Sequence, residues 1–285
     1  MSRFHPRRVL GLGRRARHAV DRWDLWTRSP VGVEPPARRA RWCTVCRWHG
    51  KEFGGDEHCE SQVCSRCGSV ARDRFLLYAF TSRHPASGDA RLRVLETSPR
   101  LGERYRSAMR RWFSYSASDY DLRGHRGELQ LDLQDIHLPA ASLDVVLSAH
   151  VLEHVPDTGA ALAELHRVLA PEGRLYLQVP LTQSRTAPPP TPEFHGDDTP
   201  VHWRFGWDLI EMLGDAGFAT TPLVAPGFSA TDGTREPVRG EFRVADLVEH
   251  APHDALVELG GARAATQMGW RPAFQHVAFE AVKAA

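Results

Sequence analysis

Between Leu143 and Pro180 the alternation of apolar and polar positions changes period twice. Leu143, Val145, Val146 and Leu147 form a near-continuous apolar run, the pattern of a strand covered on both faces of a parallel sheet. Asp157 is placed to cap a helix in which Leu162, Leu165 and Val168 or Leu169 recur at helical spacing, and Pro171 and Gly173 stop it. Leu175, Leu177 and Val179 then alternate with Tyr176 and Gln178, the period of a second strand. Strand, crossover helix and strand in succession make a βαβ unit. In open sheets of that kind, ligands sit outside the carboxyl ends of the strands, here at Ser148-Ala149-His150.

The flanking sequence extends the sheet. Arg91–Leu95 and Trp112–Ala117 read as strands before the unit, and Leu129–Asp132 as a short third strand. Ala219–Val224 and His276–Lys283 read as strands after it. A helix is predicted from Val70 to Phe80, with Val70, Phe75, Leu76, Ala79 and Phe80 as its apolar stripe, and another from Trp207 to Gly214. Residues 181–200 are rich in Pro, Thr and Asp and read as a long irregular loop, which over a ligand edge is usually a functional lid.

At 285 residues with 42% apolar content, the chain can bury one large core and carry a smaller unit beside it. No run of about eighteen apolar residues is present and the Arg-rich start lacks an apolar core segment, so neither a membrane span nor a secretory signal is expected and the cytoplasm is the expected location. The net charge is +1, yet residues 1–41 hold eleven Arg against Asp21, Asp24 and Glu34, a local balance of +8 that leaves about −7 for the remainder. That arm, with Trp23 and Trp26 among its arginines, suits either contact with RNA phosphates or packing over the acidic remainder. Pro30, Pro35 and Pro36 mark the linker that follows.

Four cysteines come next as Cys43-x-x-Cys46 and Cys64-x-x-Cys67, with seventeen residues between the pairs. Each C-x-x-C turn presents two thiolates on one side of a tight knuckle, and two facing knuckles complete a tetrahedron, the arrangement of a structural zinc site. Four thiolates leave no open position for catalysis, and disulfides are disfavoured in a reducing compartment. Cys59, beside His58, has no partner at knuckle spacing and reads as a loop thiol.

The stretch DVVLSAHVLEHVPD, the LAELHRVL helix, P-x-G and the strand after it resemble the corresponding segment of class I methyltransferases dependent on S-adenosylmethionine (SAM). The cysteine ribbon ending in Cys67-Gly68-Ser69, followed by a basic, leucine-rich helix, resembles a group of bacterial methyltransferases that carry a zinc ribbon. The resemblance implies an α/β fold: a Rossmann-like seven-stranded methyltransferase sheet with helices on both faces, preceded by a small zinc ribbon. It divides the chain into a basic arm at 1–41, a ribbon at 42–69 and a methyltransferase domain at 70–285 with a lid loop at 181–206 and an insertion at 227–272. The last strand is expected to be antiparallel and inserted beside the fifth.

The same resemblance supplies a cofactor site. Glu96, Thr97, Ser98, Pro99 and Gly102 fall on the turn after the first strand, with Glu96 at the acidic position and with Ser98 and Arg100 where glycines are common. Asp119, with Asp121 as the alternative, stands about twenty residues on, where α/β nucleotide folds hold ribose hydroxyls. Asp132 would face the adenine amino group and Leu133 would pad the ring, while Ser148 and His150 would meet the cofactor at the fourth strand's tip. Asp144 is read as structural.

For chemistry, methyl transfer needs a positioned nucleophile and, where that is protonated, a base. His150 and His202 are the candidate bases. His195 is a further one, and for His195 and His202 loop hydrogen bonding is the competing role; His154 belongs to the family-typical VLEHV segment and reads as structural. Arg204 and Gly206 complete a segment, His202-x-Arg204-x-Gly206, that resembles the zinc-ribbon group. The expected activity is transfer of a methyl group from SAM to an O or N nucleophile of a small molecule, such as a sugar or a natural-product intermediate. RNA methylation through residues 1–41 and the ribbon is one alternative, and a non-catalytic binding or scaffold protein with an altered glycine turn is another. The oligomeric state is left open.

Overall fold

The computed structural model describes residues 40–55, 61–84, 91–123, 127–195, 198–230, 237–239, 242–270 and 277–285. Cys59, His58 and nearly all of the basic arm lie outside these residues. The chain opens with the hairpin β1 (Arg41–Trp42) and β2 (His49–Gly50), and the second cysteine knuckle leads directly into α1 (Ala71–Arg83). There follow β3 (Arg93–Thr97), α2 (Glu103–Trp112), β4 (Ser114–Asp119), β5 (Leu129–Gln130) and β6 (Leu143–Ala149). The crossover helix α3 (Thr158–Val168) then feeds β7 (Leu169–Gln178).

Asp157 caps α3 as expected, its Oδ1 accepting from the Ala160 N–H at 2.9 Å. The helix ends at Val168, before Pro171 and Gly173, and these two residues lie instead within β7. Pairing runs Leu143↔Leu169 and then Val145↔Arg174, so residues 170–173 loop out of the ladder. Gly173 is required there, because a Cβ would lie 2.7 Å from the Ala170 carbonyl oxygen.

The lid segment carries a short hairpin, β8 (Glu193–Phe194) with β9 (Pro200–Val201), where an irregular loop was expected. Beyond it come α4 (Leu209–Asp215) and β10 (Phe218–Val224). The insertion contributes β11 (Pro237–Arg239), β12 (Phe242–Arg243), α5 (Val244–Glu249), β13 (Val257–Glu258) and α6 (Ala262–Met268). β14 (Val277–Lys283) completes the main sheet.

The main sheet has the order β13-β10-β14-β7-β6-β3-β4-β5. All seven expected strands are present, with β14 antiparallel between β10 and β7, and β13 from the insertion adds an eighth at the edge beside β10. The remaining neighbours from β7 to β5 are parallel. β3 has β4 on one side and β6 on the other, so the chain reverses its direction of winding there, and a crevice opens at the carboxyl ends of β3 and β6.

Alternate residues of the central strands feed two cores. Val94, Val145, Leu147 and Tyr176 face α1, α2 and α6, whereas Leu95, Val146, Leu175 and Leu177 face α3, α4 and α5. The ribbon is part of the first core: Trp42, Cys43, Val45, Phe53 and Cys64 pack with Phe75, Met268 and Trp270. It is therefore continuous with the large domain rather than an appendage to it.

Arg74 joins these parts. It is fully buried on α1, and its guanidinium donates to the carbonyls of Met268 (2.7 Å), Ser69 (2.7 Å) and Gln62 (2.7 Å) while stacking 3.8 Å from the Phe53 ring centroid. α1 is buried around most of its circumference, more than its predicted stripe requires, because ribbon, sheet and α6 enclose it.

Candidate active site

At the switch point Thr97 and Ser148 are paired across β3 and β6, and the Thr97 hydroxyl donates to Ser148 Oγ at 2.9 Å. Ser148 was expected to meet the cofactor at the tip of this strand. It is fully buried, and its hydroxyl ties the two strand tips together. The turn that follows β3 places Ser98 at φ 47°, in the left-handed region where a glycine costs least. Its backbone N–H donates to Ser118 O at 2.7 Å and its Oγ donates to Asp119 Oδ1 at 2.9 Å. Those two bonds hold a non-glycine residue in a glycine conformation and dock the turn on the tip of β4.

Glu96 lies beneath this turn. Tyr105 and Tyr115 both donate to its Oε2, at 2.9 and 2.7 Å. Burial pushes the Glu96 carboxyl up to about 7, with the two phenols and Arg106 pulling it back and Asp73 adding to the rise. A cavity opens above Glu96. Thr97, Ser98, Pro99 and Arg100 line one side, and Asp73, Leu76 and Leu77 of α1 line the other. Gly102 stands at the end of the turn as the N-cap of α2.

Asp119 is largely buried at the tip of β4. Gly127 packs against its backbone so closely that a Cβ would lie 2.8 Å from the Asp119 nitrogen. Tyr120, the next residue, is 71% exposed at the same edge and was not singled out from the sequence. Asp121 instead pairs with Arg123 on the surface. Asp132 accepts from the Gln134 backbone N–H at 2.9 Å and from its side-chain amide at 3.1 Å, forming a local turn, and Leu133 is buried beside it. Asp144 pairs with Arg93 at 2.6 Å between strands, the structural role expected of it.

His150 occupies the left-handed region at φ 55°, its N–H bonded to Gln178 O at 2.9 Å. Its Nδ1 stands 3.6 Å from Oε1 of Glu153, whose side chain is 2% exposed, and Glu153 is also 3.9 Å from His154 Nε2. Burial, followed by the cationic Arg72 and Arg100, holds the His150 imidazole well below its usual pKa, so the ring is neutral near pH 7. His195 stacks edge-on against His154 with centroids 4.6 Å apart. The backbone N–H groups of His202 and Trp203 both donate to the Glu153 carbonyl, at 2.8 and 3.2 Å. The Trp203 indole donates to Pro156 O at 3.0 Å, and His154 Nδ1 lies 2.6 Å from Pro200 O. The lid is thus a strap fastened across the turn at 152–156. Arg204 bonds Glu193 at 2.8 Å within it.

The structure therefore gathers Glu96, Thr97, Ser98 and Pro99 around one cavity, attaches Asp119 through Ser98 and Ser148 through Thr97, and brings the His150 ring to the Glu153 side chain and the His202 backbone to the Glu153 carbonyl. Asp73, Leu76 and Leu77 were missed because α1 read as a connecting helix. Their only signal was the position of α1 immediately before β3.

In the ribbon, Cys43 Sγ lies 3.6 Å from Cys67 Sγ and Cys46 Sγ lies 3.6 Å from Cys64 Sγ, and all four sulfurs fall within 4.8 Å of one another. A disulfide would need about 2.05 Å. Tetrahedral zinc with bonds of about 2.3 Å separates its sulfurs by about 3.8 Å, which these distances fit. Each knuckle closes with a backbone bond to its first cysteine carbonyl, from Arg47 at 2.7 Å and from Gly68 at 2.8 Å, and both donors have positive φ.

Comparison with known proteins finds a likeness over part of the chain. Residues 103–177, from the start of α2 into β7, match a methyltransferase-domain family model. That match begins directly after the altered turn. An uncharacterized 37.1 kDa protein in transposon TN4556 of Streptomyces fradiae is 38% identical over 108 residues, which span 34% of this chain and 31% of that protein. A SAM-dependent methyltransferase from Mesorhizobium loti superposes with a TM-score of 0.43 at 16% identity, over 73% of this chain and 98% of that one. A putative SAM-dependent methyltransferase from Listeria monocytogenes does so with a TM-score of 0.44 at 14% identity, over 75% and 100%.

Proposed function

We propose that this chain, which matches a methyltransferase domain over residues 103–177, is a SAM-dependent methyltransferase and that it methylates an O or N nucleophile of a small molecule such as a sugar or a natural-product intermediate. The observation that carries the cofactor half of this reading is the cavity at the sheet's switch point, walled by the 96–101 turn and α1 and joined to Asp119 through Ser98. Glu96, Thr97, Ser98, Pro99 and Gly102 would hold the amino-acid side of the cofactor, Asp119 the ribose, and Asp132 and Leu133 the adenine. When bound, SAM supplies an electrophilic methyl group on a sulfonium centre.

The chain's remaining task is to orient the acceptor and take its proton. His150 is the base in this reading, since its ring is neutral near pH 7 and, with Nδ1 turned toward Glu153, Nε2 is the atom left to accept. His202, whose backbone N–H is bonded to the Glu153 carbonyl, would serve on the acceptor side in this reading. A strap fastened over the strand ends favours a small acceptor. The four cysteines would hold a structural zinc ion, and unpaired thiols fit a reducing cytoplasm.

Calorimetric titration of the zinc-loaded chain with SAM and with S-adenosylhomocysteine tests the cofactor reading, and both should bind. No binding heat from folded protein would overturn it. If the acceptor is RNA instead, low-salt binding will depend on residues 1–41 and fall steeply with added salt.

A further inference from the structure

On the wall of the cavity above Glu96 a carboxylate from α1 meets a guanidinium from the turn after β3. Asp73 projects from the first turn of α1, and Arg100 from the turn after β3. Arg100 Nη1 lies 3.4 Å from both Asp73 carboxylate oxygens, with the arginine side chain 41% exposed and the aspartate 10%. A single nitrogen at that distance from a carboxylate, open to water on the arginine side, is a weak pair that exchanges readily for better-placed partners. The aspartate is fixed, because its Oδ2 accepts the Val70 N–H at 2.9 Å and so belongs to the cap of α1. The arginine ends a long flexible side chain on the turn after β3.

We infer that Asp73 and Arg100 form a two-ended clamp for a zwitterionic amino-acid group, pairing with each other until that group enters between them. Asp73 takes the ammonium, and the Arg100 guanidinium turns to the carboxylate. The assignment rests on the cofactor reading above, since the amino-acid end of SAM is such a group. Glu96, the other carboxylate on the cavity, already accepts from both Tyr105 and Tyr115 on one oxygen and serves as the floor.

The test compares two ligands that share a nucleoside and a thioether and differ in the amino-acid group. S-Adenosylhomocysteine carries it and 5′-methylthioadenosine lacks it. Calorimetric titration of the full zinc-loaded chain should show Arg100→Ala and Asp73→Asn each weakening S-adenosylhomocysteine by about tenfold to a hundredfold, the scale of one charge-assisted hydrogen bond. Their affinity for 5′-methylthioadenosine should be unchanged. Asn at 73 retains an oxygen for the Val70 N–H, so thermal unfolding should stay close to that of the parent and mark the loss as one of recognition. Equal loss for both ligands, or tighter S-adenosylhomocysteine binding by Arg100→Ala, would overturn the clamp while leaving the cofactor reading standing. Binding of neither ligand by the parent chain would overturn that reading and the clamp with it.

Discussion

The Ser98 hydroxyl donates to Asp119 Oδ1 across 2.9 Å, and this bond joins the turn after β3 to the tip of β4. Ser98 pays for a left-handed backbone at φ 47° with that bond and with its N–H to Ser118. Ser98→Ala should keep the backbone cost and lose the side-chain bond, destabilising the fold by about 1 kcal/mol. Ser98→Gly should cost less, because glycine adopts the same φ without a Cβ. Denaturant unfolding of the parent and both variants checks this: Ala as stable as the parent would show that the bond contributes nothing, and Ala no worse than Gly would show that the left-handed backbone carries no Cβ cost.

Glu96 makes stability depend on pH in a predictable direction. Its folded pKa, about 7, lies above the ordinary carboxylate value of 4.5, so between those values the folded state binds the extra proton. Stability should therefore be complete below about pH 4.5 for this group and fall as pH rises through 7, by no more than about 3 kcal/mol. Glu96→Gln should flatten that slope in unfolding curves taken from pH 5 to 8. Tyr115→Phe removes a donor that favours the ionised form and should carry the loss to higher pH. A parent chain with no slope across this range would refute the assignment.

The βαβ unit at 143–180 was legible because its periodicity is local: each strand buries both faces and the helix buries one. The cysteine knuckles were legible for the same reason, since two-residue spacing is itself the geometry. What escaped depended on residues far apart in the chain. Asp73 and Arg100 meet only because α1 lies against the turn after β3. β13 pairs over two residues, too few to leave a pattern. The hairpin in the strap is equally short, and its proline-rich surroundings read as irregular. Ser148 was expected to meet the cofactor at a strand tip, and its bond to Thr97 across the sheet could not be read from either residue's local sequence.

Arg74 predicts that the ribbon and the domain unfold together. Its guanidinium serves three carbonyls from three parts of the chain, so Arg74→Ala strands buried acceptors and should cost at least about 3 kcal/mol. Lysine cannot reproduce the planar fork and should recover little of that loss. Removing metal from the four cysteines with a chelator should likewise lower the melting temperature of the whole molecule in one transition, because Cys43 and Cys64 belong to the core that holds α1. Two separated transitions, or a domain whose melting point ignores the chelator, would contradict the shared core.

Gly206 sits where the strap crosses its own start. A Cβ there would lie 2.4 Å from Ser184 O and 2.5 Å from Arg185 N, so any side chain must force the two strands of the strap apart. The nearby anchors are polar: Thr186 N–H donates to Asp208 Oδ1 at 2.7 Å, and Gly206 N–H reaches Thr186 Oγ1 at 3.2 Å. Displacing this crossing pulls on Phe205, which is fully buried, and through it on His202 and Trp203 at the Glu153 carbonyl. Gly206→Ala should therefore cost about 1–3 kcal/mol by overpacking. It should also raise protease cleavage within 181–206 and leave S-adenosylhomocysteine affinity nearly intact, because the cavity proposed for the cofactor lies at β3 and α1. Limited proteolysis beside a binding titration separates the two effects, and a variant that loses cofactor binding without gaining strap cleavage would place Gly206 in the cofactor site instead.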